Sequence, residues 1–246
     1  MRTSGVSFSI ASHSAWAPGI ATPEAWQAWS RAPYTIEAGE EPGVRQMPAM
    51  LRRRAGLLGK MALEVAYQCL DGRTGIPTVF CSRHGEVLRA VELLTDLAQG
   101  APLSPAGFGL AVHNASAGLF SIARADRASH IALAAGSATV EHGVIEACGL
   151  LADGAPEVML VAYDCGLPPV FAHFEDCAEQ PHAWAWLMAP AAADAIRLGW
   201  EAAPSDGEPA ADALPGGLDV LRFQLSGQRQ LRRTAAARRW TWTRDA

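Results

Sequence analysis

Apolar positions along the chain follow two rhythms that take turns, short unbroken or alternating runs and stretches with a period near 3.6. Residues 6–10, Val-Ser-Phe-Ser-Ile, alternate in the manner of a short strand. Thr22-Pro23-Glu24 then reads as a helix start ahead of EAWQAWSR, with the proline pre-set for the first turn. After an acidic connection with Gly and Pro (37–44), Leu51, Leu58, Ala62, Val65 and Cys69 recur on one face. That spacing predicts one long helix over 50–70, closed by Asp71-Gly72. IPTVFCS (76–82) has the length and β-branched content of a strand. Residues 86–97 follow as a helix with Val87, Val91, Leu94 and Leu97 aligned, and the chain breaks at 100–105. A small-residue helix (114–123) precedes HIALAAG (130–136), a buried-strand candidate. Val140, Val144, Cys148 and Leu151 stripe the next helix, which ends at Asp153-Gly154, and EVMLVAY (157–163) is a further buried strand.

Strands alternating with helices at this spacing imply an α/β fold, with parallel strand pairs and helices on the sheet faces. AWAWLMA (183–189) and residues 196–202 extend the sheet. Residues 203–217 are a Pro/Gly/Asp-rich surface connection, and 218–246 form a C-terminal extension with a helix (218–225) and a terminal strand, RWTWT. No repeat of fixed period and no clear linker divides the chain, so one domain over 1–246 is expected.

Half of the 246 residues are hydrophobic, enough for a substantial core. A net charge of -5 argues against generic binding to nucleic acid or membrane surfaces. The five cysteines, Cys69, Cys81, Cys148, Cys165 and Cys177, are scattered without a C-x-x-C pair, so neither a disulfide framework nor a metal site is expected, and no cofactor motif stands out. The first residues, MRTSGVSFSIAS, make a poor signal peptide, and no apolar run approaches the roughly 20 residues that span a bilayer. A cytoplasmic location without a membrane span is the expectation.

Within residues 103–164, three elements follow in order: VHNASAG (112–118), LAAGSAT (133–139) and DGAPEVMLVAYD (153–164). This ordered set resembles the centre of a β-ketoacyl synthase N-terminal half, where a P-N-x-x-A-G element precedes a T-A-C-A-S nucleophile turn and a G-x-A-D-V-M-L-x-G strand. The resemblance extends more weakly over 6–189. It implies the thiolase-like fold and one half of its duplicated arrangement, a mixed sheet with helices on its faces. Counting back from Gly154 places Ser137 at the family's nucleophilic cysteine, and a one-residue shift would place Gly136 there instead. No H-G-T-G-T motif follows Tyr163, and His173 and His182 are isolated in loop-like sequence. Decarboxylative condensation needs an acylated thiolate and donors that stabilise the enolate and oxyanion. A serine without a base replaces neither. Short chains of this kind, without the nucleophilic cysteine, look like the chain-length-factor subunits of aryl polyene biosynthesis. The resemblance therefore implies a catalytically inactive partner of a full-length β-ketoacyl synthase, meeting acyl carrier protein through the complex, with a homodimer as an alternative assembly.

Each candidate residue carries a plainer reading beside this one. Ser137 is either a nucleophile at a strand-to-helix turn or a helix N-cap, and its surroundings fail the G-x-S-x-G pattern at both glycines. His142, five residues on, lies off its helical face and reads as structural or exposed. His113 and Asn114 either approach the acyl pocket or close a turn. Val87, Val91 and Leu94 either measure acyl length by sterics, as the resemblance implies, or pack an ordinary core. His130, Ala132, Ala134 and Gly136 lie on the strand that thiolase-like dimers pair across their two-fold axis, or on a buried central strand. Arg52, Arg53 and Arg54, with Arg232 and Arg233 of the arginine-rich tail, are candidate docking groups for an acidic carrier protein. The tail also fits an edge strand with Trp240 and Trp242 on one face. Two rival functions remain at this point: a hydrolase or acyltransferase working through Ser137, and a stand-alone protein that binds an acyl chain or carrier protein.

Overall fold

The structure, a computed structural model, describes residues 4–203 and 213–244. Eight strands form one mixed sheet: β1 (Ser4–Trp16), β2 (Thr78–Cys81), β3 (His130–Leu133), β4 (Val158–Asp164), β5 (His182–Pro190), β6 (Ile196–Ala202), β7 (Gln230–Ala235) and β8 (Arg238–Arg244). Their order is β3-β2-β4-β5-β1-β6-β8-β7. Strand β2 pairs in parallel with both β3 and β4, and the remaining pairs are antiparallel. The helices are α1 (Pro23–Arg31), α2 (Ala49–Arg52), α3 (Leu57–Leu70), α4 (Val87–Ala98), α5 (Pro105–Phe108), α6 (Ala115–Arg124), α7 (Thr139–Ala152) and α8 (Gly216–Ser226). A mixed sheet with helices on its faces is the arrangement expected from the sequence. Among the described residues, no helix is long and apolar enough to cross a membrane.

The central strands read as unbroken apolar runs because both faces of the sheet are covered. On one face Phe80, Met159, Val161, Ala185 and Leu187 pack with Met61, Val65 and Cys69 of α3 and Phe120 of α6. On the other, Val79, Leu160, Trp184, Trp186 and Met188 pack with Val144 and Cys148 of α7 and Leu221 of α8. Arg233, on edge strand β7, reaches back to Glu141 of α7, which itself packs on β2 and β4 at the other end.

Four sequence expectations are corrected. The first strand runs thirteen residues rather than five. The predicted helix over 50–70 is broken between α2 and α3, where Gly56 holds an extended backbone (ψ -178) and glycine weakens helix propagation. RWTWT is an interior strand with Trp240 and Trp242 buried, and the edge is β7, which the pattern did not reveal. The α4 stripe is not a core face: no residue of α4 is buried, and Leu88, Leu94 and Leu97 are 46–59% exposed. The expected connection over 203–217 lies largely outside the described residues.

Candidate functional site

Because β2, β3 and β4 are parallel, their C-terminal ends open on one edge of the sheet, where α/β folds place their chemistry. Three segments meet there: residues 82–86 after β2, 134–138 after β3, and 164–167 after β4.

The second segment is the sharp strand-to-helix turn. Its tip is Gly136, at φ +56, exposed, with no heavy atom within 4 Å of where a Cβ would stand. Residues Gly136–Ala138 form a 3-10 turn leading into α7. The local cap is Thr139, whose Oγ1 accepts from the Ala135 N–H at 3.0 Å and donates to the Gly136 carbonyl at 2.7 Å. The N-cap positions of the 3-10 turn and of α7 are Ala135 and Ala138. Ser137 is therefore not the expected cap. Its carbonyl accepts from Arg233 Nη2 at 3.4 Å, and its hydroxyl bonds to no histidine or carboxylate among the described residues. His142 stacks edge-on against Trp240 at 5.5 Å, a packing role.

His113 lies between the ends of β2 and β3, its Nε2 3.1 Å from the Leu133 carbonyl and its ring against Gly85. Gly85 has φ +58, and any Cβ there would run into the ring, so glycine is required twice over. Asn114 is the N-cap residue of α6 without a side-chain cap bond. The loop Ser82-Arg83-His84-Gly85-Glu86 holds much of the remaining polar machinery and was not singled out from the sequence. Its signal was the run of polar residues directly after an apolar strand. Asp164 Oδ1 accepts from Ser82 Oγ at 2.9 Å and from the Arg83 N–H at 2.8 Å, and Ser82 Oγ accepts from the Gly85 N–H. Burial pushes the Asp164 carboxyl up to about 6, against the pull of those bonds and of the Arg83 and His84 charges. Burial also raises Glu86, whose Oε1 accepts from Ser116 at 3.4 Å. A cavity of about 120 Å³ lies among these groups, lined by Leu57, Leu58, Glu86, Val87, Asp164 and Cys165 among others. Burial raises the thiols as well, Cys69 and Cys177 to about 11, Cys148 and Cys165 to about 12, and Cys81 well above its usual value. None is a ready thiolate near neutral pH.

The other candidates spread around this edge. His130 and Ala134 are exposed and Ala132 is half-buried, all on or just after β3, which is the sheet edge and not a buried central strand. Val87 and Val91 are half-buried and Leu94 exposed on α4. With Leu103, Phe108 and Val112 they form an apolar surface, 42–70% exposed at those last three residues. Arg53 and Arg54 are exposed, whereas Arg52 donates to the Gly43 and Val44 carbonyls. Arg232 points outward. Arg233 is withdrawn as a docking group, since it is bonded to the fully buried Glu141 and lies 3.4 Å from Asp219.

The family profile described as "Beta-ketoacyl synthase, N-terminal domain" matches residues 26–243. The chain belongs to this family. Among solved structures, it is similar to a chain in the complex of the ketosynthase ApeO with its chain length factor ApeC from Xenorhabdus doucetiae, at 27% identity and TM-score 0.85, covering 97% of this chain and 100% of that one. A chain in the complex of a type II polyketide acyl carrier protein with its hexaketide-bound ketosynthase (AntDE:AntF) shares the fold at 11% identity and TM-score 0.72, over 100% of both chains. A β-ketoacyl synthase from Burkholderia phymatum does so at 11% identity and TM-score 0.59, over 92% of this chain and 71% of that one. No curated protein matches the sequence. Against this ketosynthase-like background, the turn after β3 carries a glycine at its left-handed tip, followed by a serine with no hydrogen-bonded base among the described residues.

Proposed function

We propose that the protein is a catalytically inactive, chain-length-factor-type subunit that pairs with a full-length β-ketoacyl synthase in the cytoplasm. The observation that carries this reading is the turn after β3. A condensing enzyme needs a thiolate there, and the exposed left-handed tip is Gly136, which has no side chain at all. Ser137 Oγ makes no hydrogen bond to a base among the described residues; only its backbone carbonyl is engaged, by Arg233. In this reading the partner covers the apolar face of α4, α5 and Val112 and pairs along β3, which carries His130 and where the small residues Ala132, Ala134 and Gly136 permit close approach. Val87, Val91 and Leu94 then border the acyl cavity together with His113 and Asn114. Arg53, Arg54 and Arg232, with Arg52 at their side, present positive charge to an acidic carrier protein. The end-to-end similarity to a chain from a ketosynthase and chain-length-factor complex supports the pairing, and the resemblance carried by residues 103–164 is what points to an aryl polyene or related chain-elongation role.

The test addresses the turn directly. The purified chain is expected not to label with an organophosphonate at Ser137, and the Ser137→Cys variant is expected to show no condensation of acyl and malonyl thioesters. Stoichiometric labelling of Ser137 with loss of a hydrolytic turnover in Ser137→Ala would replace this reading by the hydrolase one. Measurable condensation by Ser137→Cys would overturn the inactive assignment.

A further inference from the structure

The connection between β4 and β5 carries an apolar knob, the 3-10 turn Pro169–Phe174. Its base is pinned by the loop after β2. Arg83 bonds Asp176 Oδ1 at 2.5 Å and Cys177 Sγ at 2.9 Å and lies 3.3 Å from Glu179. His84 Nε2 stands 2.7 Å from Glu179 Oε1, while Glu179 Oε2 accepts from the Leu167 N–H at 2.9 Å. Pro168 and Pro169 fix φ at the start of the 3-10 turn Pro169–Phe174. At the tip the rings brace one another, with Phe171 6.1 Å and His173 3.9 Å from Phe174. Even so, Val170 and Phe174 are 60% and 62% exposed, with the exposed Glu175 beside them.

Aromatic side chains held in place before binding lose little entropy on docking, and such residues dominate interface energetics. The root of the knob borders the apolar face of α4. Cys165 and Gly166, at its root, share a cavity wall with Val87 and Leu88. We infer that Val170 and Phe174 are a second anchor for the ketosynthase subunit, entering an apolar cleft on that partner with a basic side chain at its rim to meet Glu175. This rests on the pairing proposed above.

The test measures binding of the purified chain to a full-length ketosynthase. Both tip residues are exposed, so Phe174→Ser and Val170→Ser should keep the native circular dichroism and melting temperature. Phe174→Ser is expected to weaken Kd by about 10- to 30-fold. Glu175→Lys should slow association at low salt and lose that effect at high salt. If Leu94→Asp weakens the complex while Phe174→Ser binds like the wild type, the knob is not an anchor and the pairing stands. If the wild type itself does not bind, both ideas fail.

Discussion

Replacing Gly85 by alanine tests how the loop after β2 is locked to the end of β3. Two costs add. The backbone at φ +58 is left-handed, which charges a non-glycine residue about 1–2 kcal/mol. The new Cβ would also run into His113 Nδ1 and stand 3.1 Å from Cε1. The ring cannot retreat without loosening its Nε2 bond to the Leu133 carbonyl, which adds about 1–2 kcal/mol for the lost bond and repacking. Gly85→Ala should therefore lose about 2–4 kcal/mol in urea unfolding, with an unchanged denaturant slope. In the double variant with His113→Ala, the collision disappears and only the backbone cost and the histidine's own bond, about 1 kcal/mol, remain. The double variant should thus be more stable than the sum of the singles by about 1–2 kcal/mol. A coupling within about 0.5 kcal/mol of zero would refute the proposed contact between the two segments.

Three other outcomes follow from buried charge and from the α4 face. His182 is fully buried and its imidazole is lowered to about 4 by burial, so the folded state favours neutral histidine. Its contribution is complete above pH 6.5 and is lost as pH falls through about 4. Asp164, raised to about 6, acts in the opposite sense, costing stability as pH rises from 3.8 through about 6. Each amounts to about 3 kcal/mol at most. Relative to the wild type, Asp164→Asn should therefore gain up to about 3 kcal/mol between pH 4 and 6.5 in urea titrations, and parallel profiles for the two proteins would contradict the assignment. Arg233→Met leaves Glu141 buried and unpaired and should cost about 3–5 kcal/mol, with Glu141→Gln in the same chain recovering more than half; equal losses would show the pair is not the cause. Val91→Trp should shorten the products made with a ketosynthase partner, and an unaltered length distribution would reject α4 as a border of the acyl cavity.

The central strands and most helices were legible in the sequence because burial on both sheet faces leaves an unbroken apolar signature, as in residues 158–163 and 183–188. Strand β7 was not legible. Its alternation places Leu231, Arg233 and Ala235 on the inner face, and the arginine masked the apolar side of the pattern. The α4 stripe was read correctly as amphipathic, but a sequence cannot say whether such a face meets its own core or is left uncovered. The turn after β3 was located to within a residue, and only its backbone distinguishes Gly136, the left-handed tip, from Ser137. The polar loop over 82–86 escaped notice because its partners, Asp164, Glu179 and Ser116, lie 30 to 95 positions away in the chain. Long-range hydrogen bonding of that kind leaves no local period to read.

The central claim, that this chain completes a ketosynthase rather than acting alone, is most directly tested by co-expression with a full-length β-ketoacyl synthase. Light scattering after size exclusion should show a one-to-one complex, and its product lengths should differ from those of the synthase alone. A synthase that migrates alone and makes unchanged product lengths would contradict the account.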